Sequence, residues 1–124
     1  MRVLVVEDAA DTREMYRHFF GYHGMEVTVA PDGLIALQCV SARPPDVIVL
    51  DLAMPGMTGW EVIRSLKARA RTRAIPILAV SGVGTSQSAL AAGADGFLEK
   101  PCLPERLLAE LLRVVRRAAD SVGT

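Results

Sequence analysis

Three stretches of the chain are continuously apolar and each stops on a polar group. Val3-Leu4-Val5-Val6 runs into Glu7-Asp8, Val47-Ile48-Val49-Leu50 into Asp51, and Ile77-Leu78-Ala79-Val80 into Ser81. Aliphatic runs without alternation predict strands buried on both faces, as in a parallel sheet covered by helices. Residues 25–30 alternate apolar and polar and suit an edge strand, while Phe97-Leu98-Glu99 makes a short fifth strand that ends at Lys100-Pro101.

Helical patterns fill the intervals. The first has capping-box spacing at Asp11-Thr12-Arg13-Glu14 and an apolar face of Met15, Phe19 and Tyr22, with Arg13 and Arg17 outside it. The second restarts at Pro31-Asp32-Gly33 and carries a stripe of Leu34, Ile35, Leu37 and Val40. The third covers 60–69 with Val62, Ile63 and Leu66 inward, followed by the basic run Arg69-Ala70-Arg71-Thr72-Arg73, read as a solvated helix exit. A short fourth helix covers about 85–92. The fifth opens at Pro104 and turns Leu107, Leu108, Leu111, Leu112 and Val115 to the core. Five strands alternating with five helices predict a three-layer α/β architecture filling residues 1–124 as one domain.

Composition narrows the function classes. The 124 residues are 51% apolar, with no run long enough for a membrane span and no signal-peptide flanks, so a soluble cytoplasmic protein is expected. Fourteen basic residues balance fourteen acidic ones, which leaves no global field to recruit nucleic acid or an anionic membrane. Cys39 and Cys102 lack metal-site spacing and read as reduced thiols. His18 and His23 read as surface residues.

The strand ends carry the chemistry. In a parallel sheet Glu7-Asp8, Asp51, Ser81 and Lys100 all face one crevice at the carboxyl edge. Carboxylates gathered at about 4 Å repel by about 4 kcal/mol per pair at an effective dielectric of 20, so they require a counter-charge. The candidates are Lys100, one of only two lysines beside twelve arginines, and a hard divalent cation such as Mg²⁺. Three acids, a hydroxyl and a lysine around such a cation suit phosphoryl transfer to a carboxylate.

With those motifs in order and spacing, the chain resembles the receiver domains of bacterial two-component response regulators. The matching residues are Glu7-Asp8, Asp51 through Met54-Pro55-Gly56-Met57-Thr58-Gly59, Ser81-Gly82, Ala92-Gly93-Ala94-Asp95 and Lys100-Pro101. The resemblance implies a five-stranded parallel sheet in the order 2-1-3-4-5 with five helices. It makes Asp51 the phosphoacceptor, Asp8 the direct Mg²⁺ ligand, Glu7 the acid acting through water and the Ala53 carbonyl the backbone ligand. Ser81 becomes the hydroxyl that follows the phosphoryl group and Lys100 its cationic partner, with a cis bond before Pro101. The implied partners are a histidine kinase or histidine phosphotransfer protein as donor and an unspecified output protein. No direct nucleic-acid or membrane contact is implied, and the chain is expected as a monomer or weak dimer. Met1 directly before the first strand reads as a natural start.

Three features depart from the family pattern. Phe97 stands where relatives often carry a switch tyrosine, and it is expected to stay mostly inward and to report phosphorylation weakly. The interval between Ser81 and Lys100 is about three residues short, roughly one helical turn, so the fourth helix, flanked by Gly82, Gly84 and Gly93, should be short and mobile. Ala53 and Val83 cannot orient an attacking water by hydrogen bonding, which implies slow self-dephosphorylation.

Competing readings fit less well. A Mg²⁺-dependent phosphohydrolase of the haloacid-dehalogenase type would place an acid at position 53, where Ala53 stands. A flavodoxin-like carrier would want a Gly/Ser-rich nest where Glu7-Asp8-Ala9-Ala10 stands. A phosphorylation-independent interaction scaffold is the remaining alternative.

Overall fold

The three apolar runs form the middle of one parallel sheet. A computed structural model describes residues 1–82 and 85–122. Its strands are β1 (Arg2–Val6), β2 (Glu26–Ala30), β3 (Val47–Asp51), β4 (Ile77–Ser81) and β5 (Gly96–Glu99), paired in the order β2-β1-β3-β4-β5. The three continuously apolar strands are therefore central, and the alternating β2 is an edge, as their patterns require. The helices are α1 (Ala10–Tyr22), α2 (Gly33–Ala42), α3 (Gly59–Lys67), α4 (Ser86–Ala92) and α5 (Pro104–Val122).

Period-2 alternation divides the core into two layers. Val3, Val5, Val47, Val49, Leu78, Val80 and Leu98 face α1 and α5, where they pack on Tyr16, Phe20, Leu107, Leu111 and Val114. Leu4, Val6, Ile48, Leu50, Ile77 and Ala79 face the other way, onto Ala36 and Val40 of α2, Val62, Ile63 and Leu66 of α3, and Ala89 of α4. Phe97, level with Ala79, lies half-buried against this second layer. α4 has seven residues, in keeping with the short interval.

Several helix details differ from the sequence reading. α1 buries Tyr16 and Phe20 while Met15 and Tyr22 are exposed. The Asp11 capping box does not form: Ala9 is the N-cap and makes no side-chain cap bond. α2 buries Gly33, Ala36 and Val40 and leaves Leu34 and Ile35 exposed, because it approaches its neighbours too closely for large side chains. A Cβ on Gly33 would stand 2.8 Å from Val62 Cγ2. In α5, Val114 is buried where Leu112 was expected.

A capping box does form at α3. Thr58 Oγ1 accepts the Glu61 N–H, and the Glu61 carboxylate accepts the Thr58 N–H. Gly59 then presses on the end of β3: its N–H donates to the Leu52 carbonyl at 3.1 Å, and a Cβ there would lie 2.5 Å from Leu52 Cα. The loop between β3 and α3 is thus anchored immediately after Asp51.

Candidate functional site

Register brings the strand ends together. Val6 pairs with Leu50 and Asp51 with Val80, so Glu7 lies level with Asp51 and, by alternation, on the same face of the sheet. Ser81 pairs with Glu99, which places Lys100 one step beyond. The Lys100 N–H donates to the Ser81 carbonyl at 2.7 Å, and the Lys100–Pro101 peptide is cis.

Glu7, Asp8 and Asp51 each offer a carboxylate oxygen to one cluster, with these oxygens all within 4.8 Å of one another. Glu7, Asp51 and Ser81 are buried, whereas Asp8 is exposed at the rim. Lys100 Nζ donates to Asp51 Oδ2 at 3.0 Å and stands 3.8 Å from Glu7 Oε2. The second Asp51 oxygen, Oδ1, accepts the Ala53 N–H at 3.0 Å. Glu7, Asp8, Lys100 and the Ala53 N–H therefore surround Asp51, and Ser81 closes the adjacent strand end.

The electrostatics follow from packing acids in a dry corner. Burial, then the Asp51 hydrogen bond and negative charge, push the Glu7 carboxyl up to about 7, with Lys100 and the Ala9 N–H offsetting part of the rise. Burial alone would pull Lys100 down. Its hydrogen bond to Asp51 and the charges of Asp51, Glu7 and Asp8 outweigh that and hold it above its ordinary value. The ammonium is thus charged at neutral pH, while Glu7 keeps part of a proton.

One ammonium does not neutralise three carboxylates. The donors are all oxygen, clustered and partly desolvated, which is the set a hard divalent cation takes. Such a cation would displace the Glu7 proton, so the residues present fit the Mg²⁺ that their pattern implies.

Two nearby residues were not singled out from the sequence. Burial, then electrostatic coupling to Cys102, Glu7 and Asp51, pushes the Tyr16 hydroxyl up to about 12. Arg13 turns back from α1 to the loop carrying the two adjacent acids, donating to the carbonyls of Glu7 and Asp8. A hydroxyl on the buried stripe of α1 was the available signal for Tyr16. A cation five residues after Asp8 was the signal for Arg13. Val83 and Gly84 lie outside the described residues.

Comparison with known proteins identifies the family. Residues 3–112 match the model of the response regulator receiver domain. The response regulator MprA of Mycobacterium sp. strain KMS is 37% identical over 124 residues, covering 99% of this chain and 54% of the relative. MprA of Mycobacterium leprae strain TN is 39% identical over 129 residues, with 99% and 57% covered. The chain thus spans about half the length of these curated relatives. Among solved structures, the chemotaxis response regulator CheY4 of Vibrio cholerae superposes with a TM-score of 0.86 at 37% identity, covering 91% of this chain and 97% of that one. NtrX from Brucella abortus gives 0.90 at 28% identity, covering 98% of this chain and 29% of its own. The chain belongs to the response regulator family and carries its receiver domain.

Proposed function

We propose that this chain is a phosphorylation-dependent switch of a two-component system or phosphorelay, accepting a phosphoryl group on Asp51. The observation that carries the reading is the convergence of carboxylate oxygens of Glu7, Asp8 and Asp51 within 4.8 Å, with Lys100 Nζ 3.0 Å from Asp51 Oδ2. A carboxylate oxygen of Asp51 attacks the phosphorus of a phosphohistidine on a histidine kinase or phosphotransfer protein. The P–N bond breaks, its electron pair goes to the imidazole, and an acyl phosphate forms on Asp51. Asp8, Asp51 and the Ala53 carbonyl, with Glu7 acting through water, would hold Mg²⁺. The cation would there supply the positive charge that a transferring phosphoryl group requires. Lys100 neutralises one phosphoryl oxygen, and the Ser81 hydroxyl moves to another.

The new charge is read on the face formed by α4, β5 and α5, where an output protein docks. We further infer that residues 1–124 act as one receiver domain in the cytoplasm, as a monomer or weak dimer, without touching nucleic acid. The chemistry is limited to gain and loss of the phosphoryl group at Asp51. The haloacid-dehalogenase alternative gains no support, because position 53 carries no acid.

The test is direct. Incubated with Mg²⁺ and acetyl phosphate, the protein should gain the mass of one phosphoryl group, and Asp51→Asn should abolish the gain. Absence of a gain favours the phosphorylation-independent scaffold, and a gain that survives Asp51→Asn moves the acceptor elsewhere.

A further inference from the structure

The two adjacent acids of the site pose a geometric problem. Along a strand, successive side chains point to opposite faces, yet Glu7 and Asp8 deliver carboxylate oxygens to the same cluster. The backbone must leave strand geometry between them and be held there. The ordinary device, a side-chain cap at the start of the following helix, is missing: Ala9 is the N-cap of α1 and Ala10 its first residue. The Glu7 N–H is tied to the Ala30 carbonyl of β2 at 3.1 Å, which fixes the entry of the turn but not its course.

Arg13 supplies the missing constraint. Its Nη1 lies 2.9 Å from the Glu7 carbonyl and 3.0 Å from the Asp8 carbonyl, so two N–H bonds of one nitrogen grip two successive peptide oxygens. Arg13 is partly buried, and its planar guanidinium makes a stiff clamp. With both carbonyls turned toward α1, both carboxylates are left to converge on Asp51.

We propose that Arg13 is a positioning residue for the cation site: by clamping the carbonyls of Glu7 and Asp8 it holds their carboxylates in one cluster. The inference rests on the reading that these acids bind Mg²⁺, and it adds a residue that does not touch the ion.

The sign of one measurement separates positioning from charge. Arg13 is a cation beside a cation site, so by Coulomb's law alone its removal should tighten binding. Loss of a positioning contact should instead weaken it, by about tenfold or more for partners that orient metal ligands. Mg²⁺ titration of the whole chain by calorimetry, for the parent and for Arg13→Ala, Arg13→Gln and Arg13→Lys, makes the comparison. Circular dichroism and urea unfolding establish which variants fold. The expected order is weakest binding for Arg13→Ala, intermediate for Arg13→Gln, which keeps a shorter donor, and closest to the parent for Arg13→Lys. If Arg13→Ala does not fold, Arg13→Gln against Arg13→Lys still decides. Binding by the parent together with equal or tighter binding by Arg13→Ala or Arg13→Gln overturns the clamp while leaving the metal site intact. A parent that binds no divalent cation overturns the metal reading and the clamp with it.

Discussion

Lys67 Nζ and Asp95 Oδ2 meet at 2.9 Å, and the same oxygen accepts the Ile77 N–H at 2.8 Å. Lys67 also donates to the carbonyls of Arg73 and Ile75, so one ammonium joins the end of α3, the entry to β4 and the turn before β5. This tie lies at the edge of the sheet opposite the acids. Asp95→Ala strands the N–H of Ile77, a fully buried residue, and should cost about 1–3 kcal/mol. Asp95→Asn keeps an oxygen acceptor and gives up only an ion pair with one substantially exposed partner, worth about 0–1 kcal/mol. Urea midpoints should separate the two variants, and Mg²⁺ affinity should be unchanged in both. Equal losses would assign the stabilisation to the ion pair instead.

Glu7 makes the metal-free protein sensitive to pH. Its carboxyl lies at about 7 in the fold against an ordinary 4.5, so the folded state binds this proton more tightly than the unfolded chain. The stabilisation from that proton is full below about 4.5 and is lost as pH rises through about 7. With a chelator present, unfolding free energy should therefore fall between pH 5 and pH 8, and excess Mg²⁺ should flatten the slope. Cation binding near pH 6 should also release protons, visible as a calorimetric heat that varies with the ionisation enthalpy of the buffer. A metal-free protein more stable at pH 8 than at pH 5 would contradict this assignment.

Lys100 is the internal counter-charge of the same cluster. Lys100→Ala leaves Glu7 and Asp51 facing each other without a cation, and the metal-free protein should lose about 1–3 kcal/mol at pH 8. The loss should be smaller at pH 5, where Glu7 is protonated, and smaller again with Mg²⁺. Because a competing positive charge has gone, Mg²⁺ should bind this variant more tightly than the parent even as transfer to Asp51 slows. Weaker Mg²⁺ binding in a folded Lys100→Ala would mean that the lysine shapes the site and does not merely offset its charge.

The strands and the acid cluster were legible in the sequence for one reason: both depend on contiguous local pattern. Val47 to Leu50, mostly β-branched and followed by turn residues, reads as a strand buried on both faces, and Asp51 then ends it at the carboxyl edge. Helix faces were less legible, because burial on a helix follows how closely it packs and not hydrophobicity alone. α2 is apolar nearly all round, so nothing in its pattern favours Ala36 over Ile35. At Gly33, where a Cβ would lie 2.8 Å from Val62 Cγ2 and 3.0 Å from Met57 Cγ, close contact admits no larger residue. On α1 the buried stripe runs through Tyr16 and Phe20, one position off the Met15, Phe19 and Tyr22 face that the spacing suggests. Arg13 was read as an outward charge, since a bond back to two carbonyls depends on backbone turns that no periodicity records.

Ala53 bears on how long a phosphoryl group would persist. Its N–H is occupied by Asp51 Oδ1, and its exposed methyl group offers no hydrogen bond to an approaching water. Ala53→Asn keeps the backbone donor and adds a polar group beside the acceptor. Loss of phosphoryl from Asp51, followed by mass after removal of the donor, should be faster in the variant. An unchanged half-life would show that water access is controlled from elsewhere.

Two glycines with opposite surroundings show where the loop after Asp51 is constrained. Gly21 is exposed within α1, and a Cβ there meets nothing within 4 Å. Gly21→Ala removes freedom from the unfolded chain and improves helix propensity, so it should stabilise by about 0.5–1 kcal/mol. At Gly59 a Cβ would lie 2.5 Å from Leu52 Cα and 2.7 Å from the Asp51 carbonyl oxygen. Both are backbone atoms that cannot rotate away, so α3 and the end of β3 must separate. Gly59→Ala should cost about 2–3 kcal/mol as an overpacking change and should also weaken Mg²⁺ binding, because the displaced segment carries Asp51. Urea unfolding and calorimetry on the two variants read both effects. A Gly59→Ala protein with parental cation affinity would show that the packing of α3 on Leu52 supports the fold without holding the site.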